Sequence, residues 1–341
     1  MANEDGNSDR MTPATVYDSH CHIGVDCDFE MIEKLAQKLQ QLPPVKHQFH
    51  IMTTYYGDVD LLEHLLSVLG DVSVVVPYYG VHPWYSHLYS VEDVMAGADG
   101  KSEMEIKRHH YSKIMSPAPT VEFLRVLPVP INIHKQLDRY RDLISRFNPK
   151  FGIGEIGLDK LFRVPNNGFY GNKEVSNDTT TKLSPYRVSI DHQMDIFKVQ
   201  LQFAHELNKQ VSIHCVKAHG ALYETVPQYP GISAVILHSF SGSIDQARLW
   251  INKFQGRLYF SFSNWINGTD AKAGFLASVV SQLKDEQILI ETDLLVDQLM
   301  LTDPLAYWEH LLQIWSKVAR AKNWDQAHSD ILTHNMTRSI A

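Results

Sequence analysis

The sequence predicts an α/β fold of the (β/α)8 TIM-barrel type, and three observations carry that reading. Short β-branched runs alternate with longer segments of helical apolar spacing, as in a parallel sheet with helices between its strands. Eight such runs can be counted along the 341 residues. Histidines and carboxylates stand at the C-terminal ends of several runs, where a barrel gathers its chemistry.

In order, the strand candidates are "TVYDSHCHI", "QFHIMTTY", "VSVVVPYYGVH", "FGIGEIGL", "QVSIHCV", "SAVILHSF", "RLYFSFSN" and "QILIETD". Helical spacing shows in "DVDLLEHLLSVLG" and "HQMDIFKVQLQFAHELN" between them. Near the C-terminus, Leu305, Trp308, Leu311, Trp315 and Val318 recur at three- and four-residue steps, which predicts one apolar helix face over 304–322. Residues 1–14 are polar and partly acidic and are expected to form a disordered tail, leaving 15–341 as one barrel domain. Insertions near 85–120 and 161–188 break the rhythm. Both follow C-terminal strand ends and are plausible substrate walls, a tolerated surface insertion being the plain alternative. The second is rich in Gly, Asn, Thr and Pro and is expected to be a loop.

Composition narrows the function classes. A hydrophobic content of 44% with 21% charged residues is that of a chain with a large buried core. No apolar run approaches the roughly 20 residues that cross a bilayer, and no membrane partner is expected. The three cysteines, Cys21, Cys27 and Cys215, have no paired framework. That usage and the lack of a signal pattern point to a cytoplasmic protein, with nuclear entry open. A net charge of −8 argues against a protein that coats duplex DNA nonspecifically. It leaves room for a nucleic-acid enzyme whose positive charge comes from bound metal.

Residues two apart on a strand share a side, so His20 and His22 face together and Cys21 points away. Glu155 and Asp159 close the fourth strand with one parity. His214 ends the fifth, His238 the sixth, and Glu291 with Asp293 the eighth. In a barrel these ends converge on one mouth. Imidazole nitrogens with carboxylate oxygens suit one or two Zn, Mn or Mg ions. Lys160 has the opposite parity from Glu155, which weakens a carbamylated-lysine bridge. With 18 histidines in the chain, single ones are suspect. His192 and His205 are read as structural, and His87, His109 and His110 as solvent-facing. Cys21 and Cys215 are read as packing residues.

These motifs together resemble the TatD-type metal-dependent deoxyribonucleases of the amidohydrolase superfamily, with insertions like those of eukaryotic members. The resemblance runs from about Tyr17 to Arg338 and rests on "DSHCHIG", "GVHPW", "GEIGLD", "QMDIFKVQLQFAHELNKQVSIH", "LHSFSGS", "ILIETD" and "LTHNMTR". It implies that His20 and His22 hold one metal ion, that Glu155 bridges to a second held by His214 and His238, and that Asp293 contacts the first metal and the attacking water. It also implies a phosphate-binding role for His82 and a structural one for Asn335. Three positions depart from the family pattern. Cys215, Val216 and Lys217 stand where a small residue, Arg and an acid are usual, Leu294 and Leu295 replace a small residue and proline, and Met194 replaces an arginine.

The resemblance implies two-metal phosphodiester hydrolysis, with Glu155 fixing the metal spacing and Asp293 handling the proton of the water. DNA or another phosphodiester is the expected substrate. A frayed 3′ end or a single strand fits a barrel mouth better than a duplex, and Trp84, Tyr85 and Trp265 near the rim are candidates to stack on bases, core or loop packing being the plain alternative. Two rivals stay open. One is an amidohydrolase acting on a C–N or ester bond with the same metals. The other is a catalytically weak barrel that works as a protein-interaction module through its insertions.

Overall fold

The structure is a computed structural model that describes residues 16–42, 47–94, 100–147, 150–175, 182–325, 328 and 330–340. The tail expected over 1–14 lies outside the described residues.

The eight strand candidates all form strands: β1 Val16–His22, β2 His47–Met52, β3 Val75–Tyr78, β4 Ile153–Asp159, β5 Val211–Val216, β6 Val235–Leu237, β7 Leu258–Ser263 and β8 Ile288–Glu291. They pair in parallel as a three-stranded sheet, β1 to β3, and a five-stranded sheet, β4 to β8. Parallel bridges from Tyr78 to Gly152 and from His22 to Leu295 join these sheets at both edges and close the barrel. Strands covered on both sides carry continuous apolar runs, and every residue of β4 and β7 is buried.

The lower lumen is filled by Met52, Val76, Tyr78, Ile236, Tyr259 and Leu289 and plugged by Met336 of the last helix and Ile340 just after it. A larger core lies between the barrel and its outer helices. Apolar filling at the bottom leaves the upper lumen to polar side chains. The register of β1 shifts between Asp18 and Cys21, and that of β4 between Ile153 and Ile156. Both irregularities span a site residue, His20 in one strand and Glu155 in the other. Bulges of this kind re-aim side chains at barrel rims.

Two expectations need correction. In helix Pro304–Lys322 the face turned inward carries Tyr307, Leu311, Ile314, Trp315 and Val318, whereas Leu305 is 75% exposed. Leu305 is only the second residue of that helix, before its inward face engages the barrel. The second insertion is also more than a loop. Its Arg187–Val188 segment pairs antiparallel with Met115–Ser116 of the first insertion. Together they enclose a small core of Tyr111, Ile114, Phe123, Leu124, Phe162, Val164 and Tyr186. Residues 176–181 of that insertion lie outside the described residues.

Candidate metal centre

The converging strand ends bring His20, His22, His82, Glu155, His214, His238 and Asp293 into one cluster. Glu155 is its hub. Its Oε2 lies 3.2 Å from His20 Nε2 and 3.4 Å from His22 Nε2. Its Oε1 lies 2.8 Å from His214 Nδ1, 2.7 Å from His238 Nε2 and 3.2 Å from His82 Nε2. One carboxylate thus presents each oxygen to a different set of imidazoles. Burial opposes ionisation of Glu155, but the surrounding histidines outweigh it and hold the carboxyl well below the usual carboxylate range. Asp293 Oδ1 stands 3.5 Å from His22 Nε2, and its Oδ2 accepts from the Ser239 hydroxyl at 3.3 Å. Asp293 sits in the left-handed region at φ 58°, and its amide donates to the His20 carbonyl at 2.9 Å.

The other ring nitrogens decide which histidines can coordinate. His20 Nδ1 is 3.0 Å from Ser212 Oγ, His214 Nε2 is 3.6 Å from Asp159 Oδ2, and His238 Nδ1 is 3.4 Å from Glu291 Oε1. The Ser212 hydroxyl is within hydrogen-bond reach of His20, and the carboxylates near His214 and His238 stand where the outer support of a metal-binding histidine is usual. His82 differs. Its Nδ1 accepts the Trp84 amide at 3.1 Å, so the neutral ring carries its proton on Nε2, the nitrogen facing Glu155. Burial lowers the His82 pKa to about 4, which keeps the ring neutral and makes Nε2 a donor.

Three sets each have their atoms within 4.8 Å of one another: His20, His22 and Glu155; His20, His238 and Asp293; and His82, Glu155 and His214, where the protonated Nε2 of His82 is not a ligand atom. Imidazole nitrogens with buried carboxylate oxygens suit a divalent cation, and the Ser212 hydroxyl at its far nitrogen holds His20 in place for one. The residues present therefore suit the metal ions that the sequence implied.

Several supporting residues escaped sequence reasoning. Asp18 accepts from the His20 amide at 3.1 Å, from the Thr292 hydroxyl at 2.6 Å and from the Tyr307 hydroxyl, tying β1 to β8. Its signal was available, since it shares the parity of His20 and His22. Ser239 links Glu291 and Asp293 through one hydroxyl. Gly157 lies at φ 153°, where a Cβ would meet the His214 carbonyl oxygen at 2.0 Å, so the second glycine of "GEIGLD" lets β4 pass beside a site histidine.

Other expectations change. His87 and His110 are buried, not solvent-facing. Their Nε2 atoms donate to the Gly168 and His87 carbonyls at 2.9 and 3.0 Å. Only His109 of the three is exposed. Tyr85 is buried beneath a stacked Tyr55 ring, 4.6 Å between centroids, and is no rim aromatic. Trp84 and Trp265 remain 37% and 63% exposed. Asn335 donates to the Asp285 and Ile288 carbonyls at 2.7 and 2.9 Å, far from the mouth at the start of β8.

With this geometry in hand, the relatives are informative. A deoxyribonuclease of Saccharomyces cerevisiae, named as uncharacterized, is 34% identical over 319 residues, covering 91% of this chain and 92% of its own. The Cut9-interacting protein of Schizosaccharomyces pombe is 30% identical over 251 residues, covering 64% of this chain and 71% of its own. The crystal structure of a TatD homologue from Escherichia coli K12 superposes with a TM-score of 0.56, covering 96% of this chain and 98% of that one at 15% identity, a likeness of fold. The family model described as TatD related DNase matches residues 17–340, and the chain belongs to that family.

Proposed function

We propose that this chain hydrolyses the phosphodiester bonds of DNA, working on a single strand or a frayed 3′ end, with divalent metal ions held at the barrel mouth. The observation that carries this reading is the division of Glu155, one oxygen toward His20 and His22 and the other toward His214 and His238. His20 and His22 would hold one ion and His214 and His238 a second, with Glu155 joining them and Asp293 beside the first. Bound divalent ions supply Lewis-acid polarisation of phosphoryl oxygens and acidify water.

The chain's own residues supply the rest. Asp293 is held below its ordinary pKa: burial opposes ionisation, but His22, His238 and His20 outweigh it. It is therefore an ionised base for the attacking water, oriented by the Ser239 hydroxyl. His82 offers the Nε2 proton to a phosphate oxygen, because the Trp84 amide occupies its other nitrogen.

The test is hydrolysis of a 3′-labelled single-stranded oligonucleotide with Mg, Mn or Zn, beside Glu155→Ala. Metal-dependent shortening that disappears in the variant is the expected result. Shortening that survives the substitution would move the chemistry away from this cluster. Cleavage of amides or esters with no phosphodiester turnover would favour the amidohydrolase reading. The interaction-module reading draws support from the shared core of the two insertions and predicts neither turnover nor stoichiometric metal.

A further inference from the structure

The mouth is electrically lopsided. On the β1–β2 side, a cleft of about 400 Å³ is lined by Asp28, Asp60 and Glu174, with Lys173 as its one cation, among the rings of Phe29, Tyr56 and Phe169. Beyond the ends of β4 and β5 stand five cations, Lys160, Arg163, Lys182, Arg187 and Lys217, and none has an ion-pair partner among the described residues. Arg139, Arg146 and Lys322, by contrast, are neutralised, the first by Asp60 and Glu63, the second by Glu63 and Asp142 and the third by Asp285.

The cluster is built, not scattered. The Lys160 amide donates to the Val216 carbonyl at 3.1 Å, which seats Lys160 beside Lys217. Arg187 Nη1 donates to the Leu161 and Lys160 carbonyls at 3.0 and 3.4 Å, and Arg163 Nε to the Ser184 carbonyl at 2.9 Å. Apolar surface lies among these charges. Leu161 is 56% exposed. Trp84 stacks on Phe162 at 5.5 Å and donates its indole N–H to Asp159 at 2.7 Å. Its ring lies 5.0 Å from that of His82 and 6.3 Å from that of His214. A path from the site histidines therefore crosses a fixed, part-exposed indole and then reaches Lys160, Arg187 and Lys217.

We propose that Trp84, Lys160, Arg187 and Lys217 form a shelf that carries the body of a single-stranded nucleic acid beyond the nucleotide held at the metal centre. This deepens the function proposed above and rests on it for the identity of the strand. Cations spaced along a groove neutralise successive phosphates, and an aromatic face accepts any base. On the β1–β2 side carboxylates outnumber Lys173 in the cleft lining, which disfavours the same backbone, so the strand leaves over β4 and β5.

The test compares the wild-type metal-loaded protein with Lys160→Glu/Arg187→Glu and with Lys253→Glu, a reversal on the outer helix Ile244–Phe254. Binding of a nuclease-resistant phosphorothioate oligothymidylate of about 15 nucleotides is followed by fluorescence anisotropy against salt, alongside the thymidine dinucleotide. The shelf predicts that the double variant loses about tenfold or more in affinity for the long strand, several times its loss for the dinucleotide. Its salt dependence should also fall by about 0.7 per phosphate contact removed. The Lys253 variant should bind the long strand like wild type. Equal losses for long and short strands, or an unchanged salt slope in a folded double variant, would overturn the shelf. Because binding is read without turnover, wild type that binds the long strand through the shelf but cleaves nothing would count against the nuclease reading and leave the shelf standing. If the double variant unfolds, Lys217→Gln carries the same prediction on a smaller scale.

Discussion

His20, His22, His82, His214 and His238 turn a ring nitrogen toward Glu155, whereas His87, His110 and His192 turn theirs toward backbone carbonyls. Both groups are largely out of water, and both include residues of the segments that follow β3. The difference lies in what they surround. At the mouth a carboxylate sits at the centre, and the far nitrogens of three rings face a hydroxyl or a carboxylate. Around the first insertion no carboxylate is shared among the described residues, and each ring works as a cross-brace, His192 Nε2 from helix Ile190–Glu206 donating to the Ser86 carbonyl at 2.9 Å. Burial alone therefore does not mark a functional histidine. The destination of each nitrogen does.

The largest break in this comparison comes from the hub. Glu155→Gln removes the charge that both histidine sets face, so bound divalent metal should fall to background by elemental analysis and turnover should disappear with it. Full metal content in the variant would sink the hub role. Asp293→Asn comes next. It keeps the shape of the site but removes the base, and a lost general base costs about 10²–10⁴-fold in turnover. Metal content should fall less than in the Glu155 variant, and a loss of turnover smaller than tenfold would count against Asp293 as the base.

The hub and its histidines were legible in the sequence because they obey strand rules. Residues of one parity at the C-terminal ends of parallel strands must meet if the strands close, and that logic needs neither loops nor register. It located His20, His22, Glu155, His214, His238 and Asp293 before any geometry was known. The insertion histidines were not legible, since their burial depends on two segments pairing across sequence, Met115–Ser116 with Arg187–Val188. No local pattern announces such a pairing, and polar composition suggested exposure. Tyr85 was misjudged for the same reason, its partner Tyr55 coming from the end of another strand. The misplacement of Leu305 has a different cause. Periodicity gives a face but not the residue at which that face meets the barrel.

Asp159 stands between the two regions, and a substitution there sharpens the comparison at intermediate size. One oxygen lies 3.6 Å from His214 and 2.7 Å from the Trp84 indole nitrogen, and the other accepts the Leu161 and Phe162 amides at 2.7 and 3.0 Å. Burial works against its charge, but His214 and Trp84 hold the carboxyl at about 2. Asp159→Asn keeps the size and loses the charge that steadies His214. Metal affinity should fall by about 10–100-fold, the usual effect of an outer partner, and Trp84 fluorescence should shift with it. Unchanged affinity would assign Asp159 to the insertion alone.

The smallest effect concerns the insertion histidines and is read in stability. Burial lowers His87 to about 4 and His110 to about 3, and it lowers His192 as well. In the unfolded chain such rings titrate near 6.5. Their contribution is therefore complete above about pH 6.5. As the pH falls toward 4 the unfolded state takes up protons that the native rings refuse, and stability is lost. Each such ring steepens the fall by about 1.4 kcal/mol per pH unit. His110→Gln, which keeps a donor for the His87 carbonyl, should cost about 1 kcal/mol at neutral pH yet flatten the acid slope between pH 6 and 4.5 by about one proton. Denaturant unfolding at several pH values, fitted for wild type and variant, measures both numbers. A slope equal to wild type would mean that His110 takes up its proton in the native state, and the contrast between cross-braces and ligands would then rest on His87 and His192.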